Sequence, residues 1–323
     1  MVHPYSKEVR PNELGFVGEH PSIQRICSLI KHVAKQDVTV NIQGESGTGK
    51  EFVARALHNY SPRNDNPFIA VNCGVFLTES LLEAELFGTE RRVATGVDAY
   101  PGLLEQAHRG TLFLDEITEM TPRIQVALLR ALQERKIVRI GGNIAKPRDI
   151  DLRLITASSR ELDGILRPDF YYRVAQVPIT LPPLRDRGDD IFLLSKYFCG
   201  RESDNTDKEF FLSDDSLGLL SNYLWPGNIR QLEYSIMRAI ALYGLEDDDR
   251  DNVFYARHFT FLYNKSPESL PTYDDHMKVL IKSTLIQTNG NIVEAAKILD
   301  LNRRTIARKI EMFNIDIKSI RKK

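Results

Sequence analysis

The sequence predicts an α/β fold with a parallel sheet, followed by a smaller helical domain and a basic helical unit. Three observations predict it: strand-like and helix-like apolar runs alternate up to residue 183, a glycine-rich segment joins the first strand to a helix, and two acids end a later strand. From residue 189 to about residue 262 the periodicity is helical only. At 323 residues the chain is long enough for two or three domains.

The candidate elements follow from the spacing of apolar residues. A first amphipathic helix ending near Lys35 is predicted by five residues at helical spacing: Ile23, Ile26, Leu29, Ile30 and Val33. Strands are predicted at residues 38–42, 68–71, 111–114 and 152–156, and further helices at 51–60 and 123–134. The Pro182-Pro183 break closes this α/β part.

The segment between the first strand and its helix has the composition of a phosphate-binding loop. It reads Gly44-Glu45-Ser46-Gly47-Thr48-Gly49-Lys50-Glu51. Glycines let successive N–H groups converge on an anion at a helix N-terminus, and Lys50 adds a point charge for the outer phosphates. We therefore expect ATP as the ligand, with a glycine-rich turn that binds nothing as the alternative. Because Glu51 stands where the general pattern has the Ser or Thr that holds magnesium, the metal must be held elsewhere.

A later strand supplies the carboxylates. Residues 110–114 are followed by Asp115 and Glu116, at the end of a parallel strand where α/β sheets bind ligands. Asp115 would hold magnesium through water, and Glu116 would orient or deprotonate the attacking water. This pair predicts ATP hydrolysis. The alternative is a pair of acids that complements a helix dipole.

Composition and cysteine usage narrow the protein class. Cys27, Cys73 and Cys199 lie far apart without metal-ligand spacing, which indicates neither disulfides nor a zinc site and favours a reducing cytoplasm. No apolar run approaches the ~20 residues of a membrane span. Residues 273–323 carry 11 Lys and Arg against 6 Asp and Glu, whereas the rest of the chain carries 32 against 38. A basic tail on an acidic body indicates nucleic-acid binding.

That tail has the pattern of a helix-turn-helix. Small and apolar residues form its predicted packing face: Ala295, Ala296, Leu299, Leu301, Ile306 and Ile310. Asn302 can cap the second helix. The residues expected to contact DNA are Arg303, Arg304, Thr305, Arg308 and Lys309. Arg303 and Arg304 are the candidates for base edges, Arg308 and Lys309 for phosphates, and paired units predict a palindromic promoter site. A helical hairpin with a solvated basic face is the alternative.

Together these motifs resemble the bacterial enhancer-binding proteins, the NtrC-like AAA+ transcriptional activators with a Fis-type helix-turn-helix. The resembling pieces are the phosphate-binding loop with Glu51, Glu85-Leu86-Phe87-Gly88, Asp115-Glu116, Leu181-Pro182-Pro183-Leu184-Arg185-Asp186-Arg187 and Trp225-Pro226-Gly227-Asn228-Ile229-Arg230. The resemblance implies an AAA+ P-loop core at 13–183 after a leader at 1–12, an α-helical lid at 184–262, a linker at 263–272 and a three-to-four-helix domain at 273–323.

The resemblance also implies roles for four further residues. Asn72 would switch Glu116, and Arg230 would sense the nucleotide from the lid. Arg167 and Arg173 match the arginines that are offered to the site of a neighbouring subunit, where they would neutralise charge on the γ-phosphate. A homo-oligomer, a dimer or a hexamer, is therefore expected. Surface ion pairing is the alternative for each arginine.

Two departures from the family pattern affect the way in which the protein is predicted to activate transcription. The Gly-Ala-Phe-Thr-Gly-Ala loop that grips sigma-54 is replaced by Arg92-Val93-Ala94-Thr95-Gly96-Val97, which lacks the aromatic residue. Ser159 stands where the sensor I strand normally carries Asn, and its shorter side chain would couple γ-phosphate loss to loop movement less well.

These departures favour a regulator that recruits ordinary RNA polymerase without sigma-54, similar to FleQ-like and VpsR-like proteins. The alternative is a sigma-54-dependent ATPase that remodels the polymerase, and a third hypothesis is an AAA+ remodeller such as a helicase loader. Because relatives of this kind sometimes sense cyclic di-GMP, that dinucleotide is a further candidate ligand. Residues 13–18 lack the arginine that FleQ-like proteins use, so such a site would have to be built differently.

Overall fold

The computed structural model describes residues 9–90, 99–206, 209–242 and 252–262, and in the C-terminal part residues 281, 284, 285, 288, 291–298, 306, 310 and 315. It divides into two compact units, residues 1–255 and 256–323. Among the described helices, none is long and apolar enough to cross a membrane.

The α/β core alternates helices with strands. Its helices are α1 (Pro21–Val33), α2 (Lys50–Asn59), α3 (Glu79–Phe87), α4 (Leu103–Gln106), α5 (Pro122–Glu134) and α6 (Pro168–Val174). Its strands are β1 (Val40–Gln43), β2 (Phe68–Asn72), β3 (Gly88–Thr89), β4 (Tyr100–Pro101), β5 (Thr111–Asp115), β6 (Lys136–Ile137), β7 (Arg148–Asp149), β8 (Arg153–Ser158) and β9 (Val177–Thr180). Two short antiparallel pairs, β3 with β4 and β6 with β7, stand apart from the main sheet.

The main sheet has five parallel strands in the order β2-β5-β8-β1-β9, which confirms the predicted α/β class. It is buried on both faces. Along β5 the side chains alternate: Leu112 and Leu114 pack into one apolar cluster with α3 and α5, and Phe113 packs into the other with α1 and α2. This three-layer arrangement brings the carboxyl ends of β1, β2, β5 and β8 to one edge.

The strand β9 was not among the predicted strands. It contains Pro178, which has no N–H to donate, and a proline is tolerated in a sheet mainly at an edge. The structure places β9 at the edge, with Pro178 opposite Asn41 of β1. The proline therefore fits the topology, although it concealed the strand in the sequence.

The lid consists of α7 (Asp190–Thr206), α8 (Asp214–Asn222) and α9 (Asn228–Leu242) with the short strands β10 (Phe211–Leu212) and β11 (Val253–Phe254). The lid is mainly helical, as predicted, and one short parallel pair, β10 with β11, adds to it without a signal in the sequence. Two residues per strand are too few to show a period of two. Trp225 is fully buried, and its Nε1 donates to the Leu220 carbonyl at 2.8 Å.

An anchor network, formed by Gly18, Glu19, His20, Arg187 and Asp190, joins the start of the lid to the segment before α1. The Arg187 Nε lies 3.0 Å from Asp190 Oδ2, and both side chains are almost fully buried. Asp190 Oδ1 accepts the N–H groups of Glu19 and His20 at 2.6 and 3.0 Å. A Cβ at Gly18 would lie 2.5 Å from Asp190 Oδ2, so the network leaves no room for a side chain there.

The second unit has a small apolar core of its own. Four residues of the predicted packing face, Ala295, Ala296, Ile306 and Ile310, are buried together with Ile281, Leu285 and Ile315. The helix α10 (Ile292–Ile298) begins after Asn291, whose Oδ1 accepts the Glu294 N–H at 3.3 Å. The remaining predicted packing residues, Leu299 and Leu301, and the cap Asn302 lie outside the described residues.

Candidate functional site

The glycine-rich segment forms a cradle between β1 and α2. Gly49 is the N-cap of α2 with φ +100°, a left-handed conformation that favours glycine. Lys50, the first residue of α2, is nearly buried, and its Nζ donates to the Gly44 carbonyl at 2.9 Å. The N-terminus of α2 and a buried ammonium therefore converge at one point, as an anion site requires.

The other side chains of the cradle point elsewhere. Thr48 Oγ1 donates to the Glu45 carbonyl at 2.8 Å and closes the turn. Glu51 is exposed and pairs with Arg55 one helical turn later, 2.7 Å away. Because Glu51 lies on the outer face of α2 in this ion pair, it does not replace the missing hydroxyl of the general pattern.

The predicted acids lie beside the cradle. Glu116 Oε1 is 3.4 Å from Lys50 Nζ, and Glu116 Oε2 accepts the Oγ–H and the backbone N–H of Ser159 at 2.7 and 3.1 Å. Burial alone would raise the pKa of Glu116, but the two Ser159 hydrogen bonds and the Lys50 charge outweigh it and lower the pKa. The carboxylate is thus ionised and held at both oxygens.

Asp115 faces a different partner. Its Oδ2 lies 3.4 Å from Asn72 Nδ2, at the end of the neighbouring strand, and its Oδ1 accepts the Glu116 N–H at 3.0 Å. Burial raises the pKa of Asp115, and Lys50 partly opposes this. Cys73 directly follows Asn72, and burial raises the pKa of its thiol to about 12. The structure therefore brings Asn72, predicted to switch Glu116, against Asp115.

The lid touches the cradle through a clasp formed by Glu45, Arg185 and Asn228. Arg185 binds both carboxylate oxygens of Glu45, at 2.6 and 2.9 Å, and lowers the pKa of Glu45. The buried Asn228 donates its Nδ2 to Glu45 Oε2 and to the Ser46 carbonyl, at 3.1 and 3.0 Å. Its Oδ1 accepts the Leu184 N–H at 2.8 Å. One asparagine thus links the cradle, the start of the lid and α9.

The start of α9 also packs directly on the cradle. A Cβ at Gly47 would lie 2.3 Å from the Gly227 carbonyl oxygen, so glycine is required for this close approach. The Arg230 N–H donates to the Gly47 carbonyl at 3.3 Å, and its side chain is exposed. The predicted lid arginine therefore stands at the edge of the cradle.

The two arginines expected to act on a neighbouring subunit lie on α6 and just before it. Arg167 is the N-cap of α6 and pairs with Asp169 at 2.9 Å rather than with a cradle residue. Arg173 lies in the last turn of α6, and its Nε is buried without a hydrogen-bond partner in the described part of the chain. These positions are compatible with either an inter-subunit role or a structural role.

Sequence reasoning missed the clasp and the contact between Ser159 and Glu116. Asn228 and Arg185 were seen as parts of matching motifs, but no role followed from them. A signal was present in Pro226-Gly227-Asn228, which has the composition of a helix start that also permits a close backbone approach.

Two groups of predicted residues lie outside the described residues. They are the loop residues 92–97 and the predicted DNA contacts Arg303, Arg304, Thr305, Arg308 and Lys309.

Comparison with known families covers most of the chain. The family described as "Sigma-54 interaction domain" matches residues 16–180, "AAA+ ATPase lid domain" matches 185–267, and "Bacterial regulatory protein, Fis family" matches 278–313. The transcriptional regulatory protein ZraR of Salmonella typhimurium is 41% identical over 305 residues, which cover 92% of this chain and 68% of ZraR. NtrC of Azospirillum brasilense is 36% identical over 342 residues, with 94% and 70% covered.

Solved structures show the same likeness. The crystal structure of NtrX from Brucella abortus with ATP matches with a TM-score of 0.72 at 29% identity, covering 93% of this chain and 70% of NtrX. The ADP complex matches at 0.70 and 30%, with 94% and 70% covered. The RuvB branch migration motor of Thermotoga maritima, at 0.53 and 16% over 93% of this chain and 88% of RuvB, shares the fold alone.

Proposed function

The chain belongs to the sigma-54 interaction AAA+ transcriptional regulators with a Fis-type DNA-binding domain, and from this premise we propose that it hydrolyses ATP at the cradle to control its assembly on promoter DNA. One observation carries the proposal. The ammonium of Lys50 and the carboxylate of Glu116 face each other 3.4 Å apart at the carboxyl edge of the sheet. An anion-binding charge and a water-activating base are two of the groups that catalyse phosphoryl transfer to water.

Binding is assigned to the cradle and the edge of the lid. Backbone N–H groups of the cradle and Lys50 would hold the phosphates, although the N–H groups of Gly44 and Thr48 donate to protein carbonyls in this structure. Arg230, whose backbone N–H donates to the Gly47 carbonyl, is assigned to contact the nucleotide from the lid. NtrX, whose fold this chain shares, has been solved with ATP and with ADP, which supports a nucleotide as the ligand. The clasp places the lid over the same loop, so occupancy of the cradle can alter the position of the lid.

Magnesium fits the acids as they stand. A Mg²⁺ ion bound to phosphates usually takes one or two protein carboxylates and keeps several waters. Asp115 offers such a carboxylate next to the cradle, and each of its oxygens has one described hydrogen bond and retains a lone pair. When bound, the ion would neutralise charge on the phosphates. Asp115 is therefore the residue assigned to hold it.

Oligomerisation is a property of AAA+ regulators, and we extend it to a shared active site. Arg173 has a buried Nε with no described partner, and Arg167 lies at the start of the same helix. Their proposed role is to reach the γ-phosphate bound by a neighbouring copy. A dimer or a hexamer would satisfy this requirement.

The sequence of residues 92–97 supports action on ordinary RNA polymerase, because this segment lacks the aromatic residue that contacts sigma-54 in the family. The family's description supports the second candidate, a sigma-54-dependent activator. Transcription from a cognate promoter with each polymerase form decides between them. Strong ATP-driven activation with sigma-54 polymerase would select the second candidate.

The proposed DNA target is a palindromic site read by paired Fis-type units. Arg303 and Arg304 are assigned to base edges, and Arg308 and Lys309 to phosphates. Replacing the first pair by alanine should relax sequence preference, whereas replacing the second should weaken binding to all DNA about equally. Gel retardation with specific and random duplexes separates these effects, and identical behaviour of both pairs would contradict the assignment.

Cyclic di-GMP is a weaker extension of the proposal. Residues 13–18 contain no arginine, and the guanidinium that reaches this segment, that of Arg187, is bound to Asp190 and to the Val17 carbonyl. A dinucleotide would have to displace a buried ion pair there. Calorimetry that shows no heat and no change in assembly would remove this ligand from consideration.

Phosphate release by the full chain tests the central proposal. Glu116→Gln should bind ATP but lose roughly 10²–10⁴-fold in turnover, the usual contribution of a general base. Glu209→Gln, an exposed lid carboxylate, is the matched control. Failure of the unsubstituted chain to bind adenine nucleotides would overturn the proposal.

A mixing experiment tests the shared site. Arg173→Ala subunits keep their own base, and Glu116→Gln subunits keep the arginine. If the arginine acts on a neighbour, mixing the two inactive proteins should restore part of the hydrolysis. No recovery in mixed oligomers would assign Arg173 a structural role.

A further inference from the structure

The cradle carries more negative than positive charge of its own. It contains Glu45 and Glu51 but a single lysine, Lys50, so its net charge is −1. The nucleotide that we assign to it is a polyanion, and like charges repel. Each carboxylate is bound by an arginine from outside the cradle: Glu51 by Arg55 at 2.7 Å, and Glu45 by Arg185 at 2.6 and 2.9 Å. The two arginines turn the local charge positive.

The two pairs differ in their relation to the turn of the cradle. Glu51 and Arg55 lie on the outer face of α2, one helical turn apart. Glu45 belongs to the turn that would surround the phosphates, and its carbonyl accepts the Thr48 Oγ–H at 2.8 Å. Its carboxylate is directed to the lid, where Arg185 binds both of its oxygens. The clasp therefore neutralises the carboxylate that the turn itself carries.

The negative charge of Glu45 is present in the folded protein. The hydrogen bonds from Arg185, followed by that from Asn228, lower the pKa of Glu45 below its ordinary value, so the carboxylate is ionised at neutral pH. A charge acts over about one Debye length, roughly 8 Å at physiological ionic strength. Without a cation beside it, Glu45 would repel phosphates that are bound by its own loop.

Asn228 and Arg185 hold Glu45 in different ways. Asn228 is buried and uncharged, and its Nδ2 donates to Glu45 Oε2 and to the Ser46 carbonyl at 3.1 and 3.0 Å. It orients the carboxylate but cannot cancel its charge. Among the described residues, the hydrogen bonds of the Arg185 guanidinium all go to Glu45. Neutralisation is therefore the task of Arg185.

We propose that Arg185 is the counter-ion of the cradle: it neutralises the Glu45 carboxylate, so that the turn accepts the phosphates of a nucleotide without repulsion from its own side chain. This inference rests on the proposed binding of ATP at the cradle. Arg185 acts through Glu45 and does not touch the nucleotide. Its effect on nucleotide affinity should therefore depend on whether residue 45 is charged.

Two single variants and their combination, in the full chain, separate charge from contact. Arg185→Ala leaves the carboxylate without its cation and should weaken nucleotide binding about tenfold at low salt. Glu45→Gln keeps the size of the side chain and removes its charge, so the uncompensated guanidinium should strengthen binding. The double variant Glu45→Gln/Arg185→Ala lacks both charges and should return to within about twofold of the unsubstituted chain.

Calorimetric titration with ADP measures these affinities without turnover. The same substitutions in the Glu116→Gln chain allow titration with ATP. The loss caused by Arg185→Ala should be larger for ATP, which carries more negative charge, and should shrink below about twofold near 1 M salt. Arg130→Ala, which breaks the exposed Arg130–Glu134 pair of α5, is the matched control and should leave affinity unchanged.

The outcomes separate the inference from the function on which it rests. A double variant as weak as Arg185→Ala overturns the inference, because Arg185 would then act on the nucleotide or the lid independently of the Glu45 charge. Weaker binding by Glu45→Gln also overturns it, since the contact and not the charge would matter, and so does an unchanged affinity in Arg185→Ala. In these cases the unsubstituted chain binds nucleotide and the proposed function stands. If that chain binds neither ADP nor ATP, the proposed function fails as well.

Discussion

The anchor network and the clasp use two arginines only two residues apart, Arg187 and Arg185, in opposite ways. The Arg187–Asp190 pair is almost fully buried, with side chains 3% and 1% exposed, whereas the Arg185–Glu45 pair is 39% and 41% exposed. Breaking a buried pair leaves an uncompensated charge out of water, but an exposed pair contributes little net stability. The root of the lid is therefore fixed, while the Arg185–Glu45 pair that joins the lid to the cradle can open at small cost. The buried Asn228 holds the rest of that contact.

The anchor network should show the largest effect. Asp190→Ala removes the partner of a buried guanidinium and the acceptor of two N–H groups, and we expect a loss of about 3–5 kcal/mol in the free energy of unfolding. Chemical denaturation of the full chain measures it. Asp163→Ala, an exposed aspartate, is the control and should change stability by less than about 0.5 kcal/mol. Equal stability of the two variants would contradict the contrast.

The close approach between the cradle and α9 should rank second. Gly47→Ala combines φ +79° with a Cβ 2.3 Å from the Gly227 carbonyl, and we expect a loss of roughly 1–3 kcal/mol. ATP affinity should fall with it, because the cradle must move from the lid. Gly200→Ala, in open space on α7, should be neutral or stabilising. Denaturation and calorimetry on both variants compare a constrained glycine with a free one.

The clasp should show a smaller, salt-dependent effect. A double-mutant cycle with Glu45→Gln and Arg185→Ala should give a coupling energy below about 1 kcal/mol that shrinks towards zero near 1 M salt. The same cycle on Arg187 and Asp190 should keep most of its coupling energy. A clasp coupling that resists salt would remove the distinction between the two regions.

Burial of a titratable group should also make the stability of the protein depend on pH, and this is the smallest effect that we expect. His58 of α2 is buried, its Nδ1 lies 2.9 Å from Thr111 Oγ1, and burial lowers its pKa below 6.5. A lowered pKa means that the unfolded chain binds the proton first. The contribution of neutral His58 to the free energy of unfolding is thus fully present above about pH 6.5, and it is lost as the pH falls below that value. Unfolding midpoints against pH should therefore slope less in His58→Gln than in the unsubstituted chain.

Sequence reasoning located those functional residues whose role follows from the short segment in which each one lies. Lys50, Asp115 and Glu116 follow from local patterns at strand ends, and parallel pairing brings such ends together. Ser159, Glu45 and Arg185 could not be given their contacts in this way. Each contact joins segments separated by 43 or 140 residues, and packing of the whole core and lid sets its distance.

The same limit applies to the strands. Residues 112–114 are continuously apolar because β5 is buried on both faces, and this strand was predicted. β9 contains Pro178, and its apolar and polar residues alternate only weakly. β10 and β11 have two residues each. Their pairing is imposed by tertiary contacts, against which local propensity carries little weight.

The three cysteine thiols, those of Cys27, Cys73 and Cys199, are all buried, and none forms a disulfide. Alkylating reagents react with exposed thiolates, so the native protein should be almost inert to maleimide dyes. A cysteine introduced on the lid surface would then be labelled selectively without removing the natural ones. Fluorescence from such a dye could follow the opening of the clasp in solution.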